Sequence, residues 1–240
     1  MTAAAIQVLK SRLQPGSPLV VLTGAGISAQ SGVPTFRGQD GLWRQYRAVD
    51  LATPQAFARD PQLVWEFYQW RRQLLAPLKP NPAHQALAAL EQRLLSFTLI
   101  TQNIDGLHAL AGSHRIIELH GNIWQVRCTG CGRVQEDRCL DLPPLPTCCR
   151  CGALLRPHVV WFGEQLDPEV LQRAYAALQT CQVVIIIGTS GLVQPAASMG
   201  AWAREHGAWV AEINLEPTPQ TGLYDLSLQG PAGELVPQLL

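Results

Sequence analysis

The chain has 240 residues, 47% of them apolar, enough for one large domain with a smaller one attached. Lysine plus arginine equals aspartate plus glutamate at 18 each, so the net charge is +0, which argues against nucleic-acid binding driven by bulk charge. No apolar run approaches bilayer-spanning length. Seven cysteines, most of them in one cluster, suit a reducing compartment and a metal better than a disulfide framework.

Ile6, Leu9 and Leu13 recur at helical spacing and predict a short amphipathic helix. The same segment has no long apolar stretch behind a basic start, so it does not read as a secretion signal, and the expected compartment is the cytoplasm. The first strand is expected at 19–22, from the run LVVL. TGAGISAQSGVPTFRG follows, in which Gly24, Gly26 and Ala29 fit G-x-G-x-x-[G/A]. The first glycine allows a tight turn, the second lets backbone approach a pyrophosphate, and the small third residue lets helix pack on strand. Helix-end N–H groups then face the phosphates. The match alone equally describes a glycine turn that binds nothing. The acidic ribose partner expected about 20 residues later is not convincingly present. Asn214 and Glu216, closing a later strand, are better placed for ribose hydroxyls.

Residues 43–79 break the rhythm and hold a helix at 61–75, opened by Asp60-Pro61 and ended before Pro77. A second helix is expected at 82–95, capped by Asn81-Pro82. Strands are then expected at 97–100 and 116–119, helices at 168–178 and 199–206, and strands at 183–187 and 209–213. Residues 127–156, rich in cysteine, proline and arginine, are the second interruption. Alternating strands and helices predict an α/β fold: a Rossmann-like parallel sheet domain made of 1–43, 80–126 and 157–240. The helical insertion 44–79 and a zinc-ribbon module at 127–156 form the smaller lobe.

Polar sets follow three of the strands: TQNIDGLH at 101–108, His120-Gly121-Asn122, and Gly188-Thr189-Ser190. Each lies at a strand's C-terminal end, where an open α/β sheet places its ligands. One such set is usually a turn or an N-cap, but three together with the glycine turn point to a site. His120 is the leading acid/base candidate, because imidazole titrates near neutrality. Any one of the six histidines is more often surface or structural. His108 is the rival, and its place three residues past Asp105 favours packing or hydrogen bonding.

Cys128-x-x-Cys131 and Cys148-x-x-Cys151 have the spacing that lets four thiolates converge on one tetrahedral Zn²⁺. Four sulfur ligands fill the coordination sphere, so the metal is structural. Cys149 in place of Cys148 tightens the second pair to C-x-C; Cys139 and Cys181 are read as non-ligands.

GAGISAQSGVPTFRG, TQNIDGLH, the HGN triplet, the paired CxxC knuckles, VVWFGE, GTS and INLE together resemble the sirtuins, NAD-dependent protein-lysine deacylases, in the same order over nearly the whole chain. The resemblance implies that the tail after the glycine turn folds over NAD as co-substrate. Gly24, Ala25, Gly26, Ile27, Ser28, Thr35, Phe36, Arg37 and Trp43 then belong to the cofactor site, with Phe36 shielding the nicotinamide side and Arg37 near the phosphates and ribose. By the same resemblance Gln102, Asn103, Ile104 and Asp105 hold the nicotinamide-ribose end. Gly188, Thr189, Ser190, Asn214, Leu215 and Glu216 hold the adenosine end, and Ala232 passes near the adenine. Val160, Trp161, Phe162, Gly163 and Glu164, with Leu192 and Val193, sandwich the acyl-lysine peptide as an added strand.

The implied chemistry begins with attack of the acyl oxygen on the ribose carbon as nicotinamide leaves. His120 takes a proton from a ribose hydroxyl, which attacks the resulting imidate, and water completes the transfer. The products are nicotinamide, free lysine and an O-acyl-ADP-ribose. Tyr68 and Arg71 lie three apart on the expected helix and share a face. A guanidinium beside a phenol can bind a carboxylate by charge-assisted hydrogen bonds. The Y-x-x-R pair resembles that of the subgroup removing succinyl and malonyl groups, and Ala48 and Ala52 match its small residues. Read without the resemblance, the pair is a solvated arginine and a packed tyrosine. Expected activity is therefore desuccinylation, with weaker deacetylation. The competing readings are mono-ADP-ribosyl transfer and a non-catalytic NAD-sensing zinc-ribbon adaptor.

Overall fold

The computed structural model describes residues 2–34, 42–44 and 46–240. The chain opens with α1 (Thr2–Arg12) and β1 (Leu19–Thr23), then the single-turn α2 (Ala25–Ser28). A small hairpin, β2 (Leu42–Trp43) and β3 (Tyr46–Arg47), leads into α3 (Ala48–Leu51), α4 (Pro54–Arg59), α5 (Pro61–Leu75) and α6 (Pro82–Arg93). Then come β4 (Phe97–Thr101), α7 (Leu107–Leu110), β5 (Ile116–Glu118), β6 (Gly121–Cys128), β7 (Val134–Glu136) and β8 (Leu155–Val159). The last third runs α8 (Pro168–Thr180), β9 (Val183–Ile187), α9 (Ala196–Glu205), β10 (Trp209–Asn214), β11 (Leu226–Gln229) and α10 (Ala232–Leu235).

Six strands form a parallel sheet in the order β11-β10-β9-β1-β4-β5. Successive side chains of a strand point to opposite faces, and β1 shows the result. Leu19 and Val21 join Leu9 of α1 and Leu87 and Leu90 of α6 in one layer. Val20 and Leu22 join Leu178 of α8 and Met199 of α9 in the other. A strand covered on both faces must be apolar throughout, which is why LVVLT and VVIII read as continuous runs. Pro-initiated helices recur for a local reason: Asp60, Asn81 and Asp167 accept backbone N–H groups of the first turns of α5, α6 and α8.

The second layer system is an antiparallel sheet, β7-β6-β8, packed with α3, α4 and α5 around an aromatic core that includes Trp65, Phe67 and Trp124. β6 and β8 run through positions 126–127 and 156–157, where the sequence placed the edges of a zinc module. Among the described residues no helix is long and apolar enough to cross a membrane.

Candidate active site

Chain order and spatial order diverge at β1. From β1 the chain steps to β4 and β5 on one side, then returns to β9, β10 and β11 on the other. Such a reversal leaves a crevice at the carboxyl ends of the strands, the usual seat of a dinucleotide. The glycine turn and the GTS turn meet there. A Cβ on Gly26 would lie 2.7 Å from Gly188 Cα, and Gly188 itself has φ +62, so both positions need glycine for backbone packing. The N–H groups of Gly24 and Gly26 donate to the carbonyls of Ile187 and Gly188. Those two amides are therefore spent within the protein rather than facing a phosphate.

Behind the turn lies a buried polar network. His84 Nδ1 accepts the Asn81 N–H at 3.3 Å, so its proton is on Nε2, which donates to Ser28 Oγ at 3.3 Å. Ser28 Oγ also accepts from Asn103 Nδ2 at 3.1 Å and donates to Asp105 Oδ2 at 2.8 Å. Asp105 Oδ1 accepts the Leu107 N–H, and its backbone carbonyl accepts the Trp124 indole N–H. Burial raises the Asp105 pKa against these donors and the Arg71 charge, and burial lowers that of His84 to about 4. His84 escaped the sequence reading, although its place at N3 behind the Asn81 cap is a signal of a reciprocal capping contact. His108 turns inward, its Nε2 3.0 Å from Thr23 Oγ1, and burial holds its pKa well below the ordinary value.

His120 is pinned from two sides. Its Nδ1 lies 2.9 Å from the Gln102 carbonyl, and its own carbonyl accepts the Val160 N–H at 2.9 Å. A carbonyl can only accept, so Nδ1 carries the proton and Nε2 the lone pair. Burial lowers the His120 pKa, and the Gln102 contact opposes it. The next residue, Gly121, has φ +76 where a side chain would collide with the His158 carbonyl. Of the other expected cofactor residues, Asn214 donates to the Thr189 carbonyl at 2.7 Å, and Ser190 Oγ accepts the Leu192 N–H. Leu215 and Glu216 are exposed, Ala25 is half-buried, and Ile27 and Ala232 pack in the sheet core. Ile104 packs on the small lobe's core. Trp43 is buried against Phe67 and Trp70 in the small lobe, its ring given to packing. Thr35, Phe36 and Arg37 lie outside the described residues.

The residues expected at the substrate divide by exposure. Phe162, Leu192 and Val193 are exposed, while Trp161 is 2% exposed with its ring turned inward. Val160 is tied to His120, and the Phe162 N–H donates to the Ala52 carbonyl. Gly163 is exposed with φ +86, and Glu164 holds Arg156. Ala48 is buried, and Ala52 packs on the same core. Tyr68 is buried, and its hydroxyl accepts the Trp161 indole N–H at 2.9 Å. Burial pushes the Tyr68 phenol up to about 12, against the charges of Arg71 and Arg156. Burial lowers the Arg71 pKa, and Tyr68 and Asp105 oppose it. The guanidinium nevertheless keeps its charge at any working pH.

Cys128, Cys131, Cys148 and Cys151 place their Sγ atoms within 4.8 Å of one another, with Cys128–Cys151 at 3.4 Å and Cys131–Cys148 at 3.9 Å. A Zn–S length of about 2.3 Å in a tetrahedron puts sulfurs about 3.8 Å apart, so the four thiols fit one Zn²⁺. Cys139 and Cys149 are exposed outside the group, and Cys181 is buried beneath α8, donating to the Leu178 carbonyl.

A model of the Sir2 family matches residues 24–195. The chain is 54% identical over 209 residues to an NAD-dependent protein deacylase of Aquifex aeolicus, covering 87% of each chain. It is 52% identical over 234 residues to an NAD-dependent protein deacylase of Pyrococcus furiosus, covering 95% of this chain and 94% of the relative. Among solved structures, a Sir2 homolog–NAD complex superposes with TM-score 0.91 at 50% identity, covering 97% and 91% of the two chains. A Sir2 bound to acetylated peptide superposes with TM-score 0.85 at 31% identity, covering 96% and 95%. Sequence match and superposition both run through the glycine turns, His120 and the cysteine cluster, and on that footing the chain belongs to the Sir2 family.

Proposed function

We propose that this chain is an NAD-dependent protein-lysine deacylase whose acyl pocket favours succinyl- and malonyl-lysine over acetyl-lysine. The observation that carries the reading is the His120 imidazole, oriented by the Gln102 carbonyl so that the lone pair of Nε2 is available at the crevice beside β1. NAD supplies an activated ribose carbon when bound. Gln102, Asn103 and Asp105 bind its nicotinamide-ribose end, and Gly188 to Ser190 with Asn214 to Glu216 bind the adenosine end. Ala232 lines the adenine side. His120 accepts the proton of a ribose hydroxyl at Nε2, and the closed site keeps water away from the sugar.

The sheet domain, 1–43, 80–126 and 157–240, carries the dinucleotide; the segments 44–79 and 127–156 form the smaller lobe, from which Tyr68 and Arg71 reach the acyl-lysine channel. The peptide lies as an added strand between 160–164 and 192–193, where exposed Phe162, Leu192 and Val193 offer it apolar contacts. Likeness to a Sir2 bound to acetylated peptide supports this placement. Tyr68 and Arg71 share a face of α5 and clamp the carboxylate of an acidic acyl chain.

The test compares succinyl-lysine and acetyl-lysine peptides with NAD, in the native chain and in Arg71→Met. Loss of a charge-assisted hydrogen-bond pair should lower kcat/KM for the succinyl peptide by roughly 10- to 100-fold. The acetyl peptide should change by no more than about threefold. If desuccinylation survives the substitution intact, there is no carboxylate clamp. If the native chain releases nicotinamide with neither peptide, the deacylase reading itself falls.

A further inference from the structure

The hydroxyl of Tyr68 is both buried and spoken for on one side. Its oxygen accepts the Trp161 indole N–H at 2.9 Å, and an indole nitrogen can do nothing but donate. A phenolic O–H lies near the ring plane, with one acceptor direction and one donor direction. When the indole occupies the first, the phenol's own proton is directed to the second.

Trp161 is itself held hard. The Arg156 guanidinium stacks on its ring with 3.4 Å from carbon to centroid, and the Phe57 ring lies 5.2 Å away. Glu164 accepts from both terminal nitrogens of Arg156, at 2.6 and 2.9 Å, and from the Trp161 backbone N–H at 2.8 Å. Arg156 further donates to the Val159 carbonyl at 3.0 Å. A buried guanidinium paired with a half-buried carboxylate thus fixes the indole, and the indole fixes the phenol. The sequence reading assigned Trp161 to peptide contact, yet its ring turns away from solvent and its neighbour Phe162 is the exposed one.

We propose that Trp161 is a positioning residue for acyl specificity, its indole N–H holding the Tyr68 hydroxyl as a one-way donor toward a carboxylate on the acyl chain. The inference rests on the clamp reading of Tyr68 and Arg71. A preset donor loses less freedom when the acidic acyl group arrives. A donor that is also accepting is polarised and donates more strongly. An acetyl group ends in a methyl and has nothing to receive that proton, so the device discriminates by substrate.

The experiment measures kcat and KM for succinyl-lysine and acetyl-lysine peptides in the native chain, Trp161→Phe, Tyr68→Phe, the double variant and Arg71→Met. Phenylalanine keeps a ring under Arg156 and removes the donor. Trp161→Phe should lower the succinyl-to-acetyl ratio of kcat/KM about three- to tenfold, mostly through KM for the succinyl peptide. In the Tyr68→Phe background the same change should have no further effect on that ratio. An unchanged ratio, or an equal further loss without the Tyr68 hydroxyl, overturns the positioning role. An Arg71→Met variant that loses desuccinylation while Trp161→Phe keeps it sinks this inference alone. A native chain indifferent to the two acyl groups sinks the clamp and the inference together. If Trp161→Phe melts well below the native chain, replacing Trp161 by benzothienylalanine keeps the shape, drops the N–H and must give the same shift.

Discussion

In the proposed reaction the ring at position 120 must be neutral to accept a proton and fixed to accept it from the right place. The Gln102 carbonyl does the fixing, since it can only receive the Nδ1 proton. Burial does the rest by disfavouring the imidazolium, which lowers the pKa from its ordinary value near 6.5. The sign follows directly. A lowered pKa keeps the base form populated at pH values where a free imidazole is already half charged. The acid limb of kcat/KM for the acyl peptide should therefore centre below pH 6.5, because that profile reports the free enzyme. His120→Ala should remove the limb and lower kcat/KM by about 100-fold or more. A limb centred above pH 7 would mean that some neighbour stabilises the charged ring, and the burial argument would be wrong. The motif HGN made this histidine legible, and what favours it over His108 is where the two side chains point. His108 turns to Thr23 beneath the glycine turn, a fact of tertiary packing that no spacing in the sequence encodes.

Helix α5 shows what one element's pattern reveals and what it hides. Asp60-Pro61 fixes its start, and the bounds expected from sequence, 61–75, match Pro61–Leu75. The pair proposed as an acyl clamp, Tyr68 and Arg71, stood out by resemblance. Arg72 did not, although it is fully buried and ties distant parts of the small lobe together. It donates to the Ile123 carbonyl at 2.9 Å and to Asp137 at 2.9 Å, between the rings of Trp65 and Trp124. Its partners lie some fifty and more positions away, so nothing local distinguishes it from a solvated arginine. Arg72→Met should leave Asp137 and the Ile123 carbonyl without their cation and destabilise the chain by about 3–5 kcal/mol, read from urea unfolding. A loss under about 1 kcal/mol would show that the lobe does not depend on this cation.

The same limit explains the missed strands. β11, with the short alternation LSLQ at a sheet edge, lacks the apolar run that marked β1 and β9. β6 was hidden because its start, Gly121-Asn122, reads as a turn after His120, and its end enters the cysteine knuckle. Helix α9 begins three residues earlier than the sequence predicts, because its first turn carries small residues with little periodic signal.

The two lobes are joined through the site itself. β6 begins at Gly121, the residue after His120, and β8 ends at Val159, just before Val160, whose N–H donates to the His120 carbonyl. The other ends of these strands carry Cys128 and Leu155, beside the four thiols. The metal module therefore supports the strands that lead to His120 and to the segment 160–164, proposed above as acid/base residue and peptide contact. The parallel sheet is built differently: its two apolar layers draw on none of the four cysteines. Removing zinc should then separate function from gross fold. Exhaustive treatment with a strong chelator, or Cys131→Ser, should abolish deacylation and weaken near-ultraviolet dichroism from the tryptophans of the small lobe. Far-ultraviolet dichroism of the sheet domain should persist in large part, since its core is intact. Cys139→Ser and Cys149→Ser should leave metal content at one Zn²⁺ per chain, because their thiols stand outside the cluster. A chain stripped of zinc that still cleaves acyl-lysine at the native rate would show that β6 and β8 hold the site without the metal, and the coupling argued from their ends would fail.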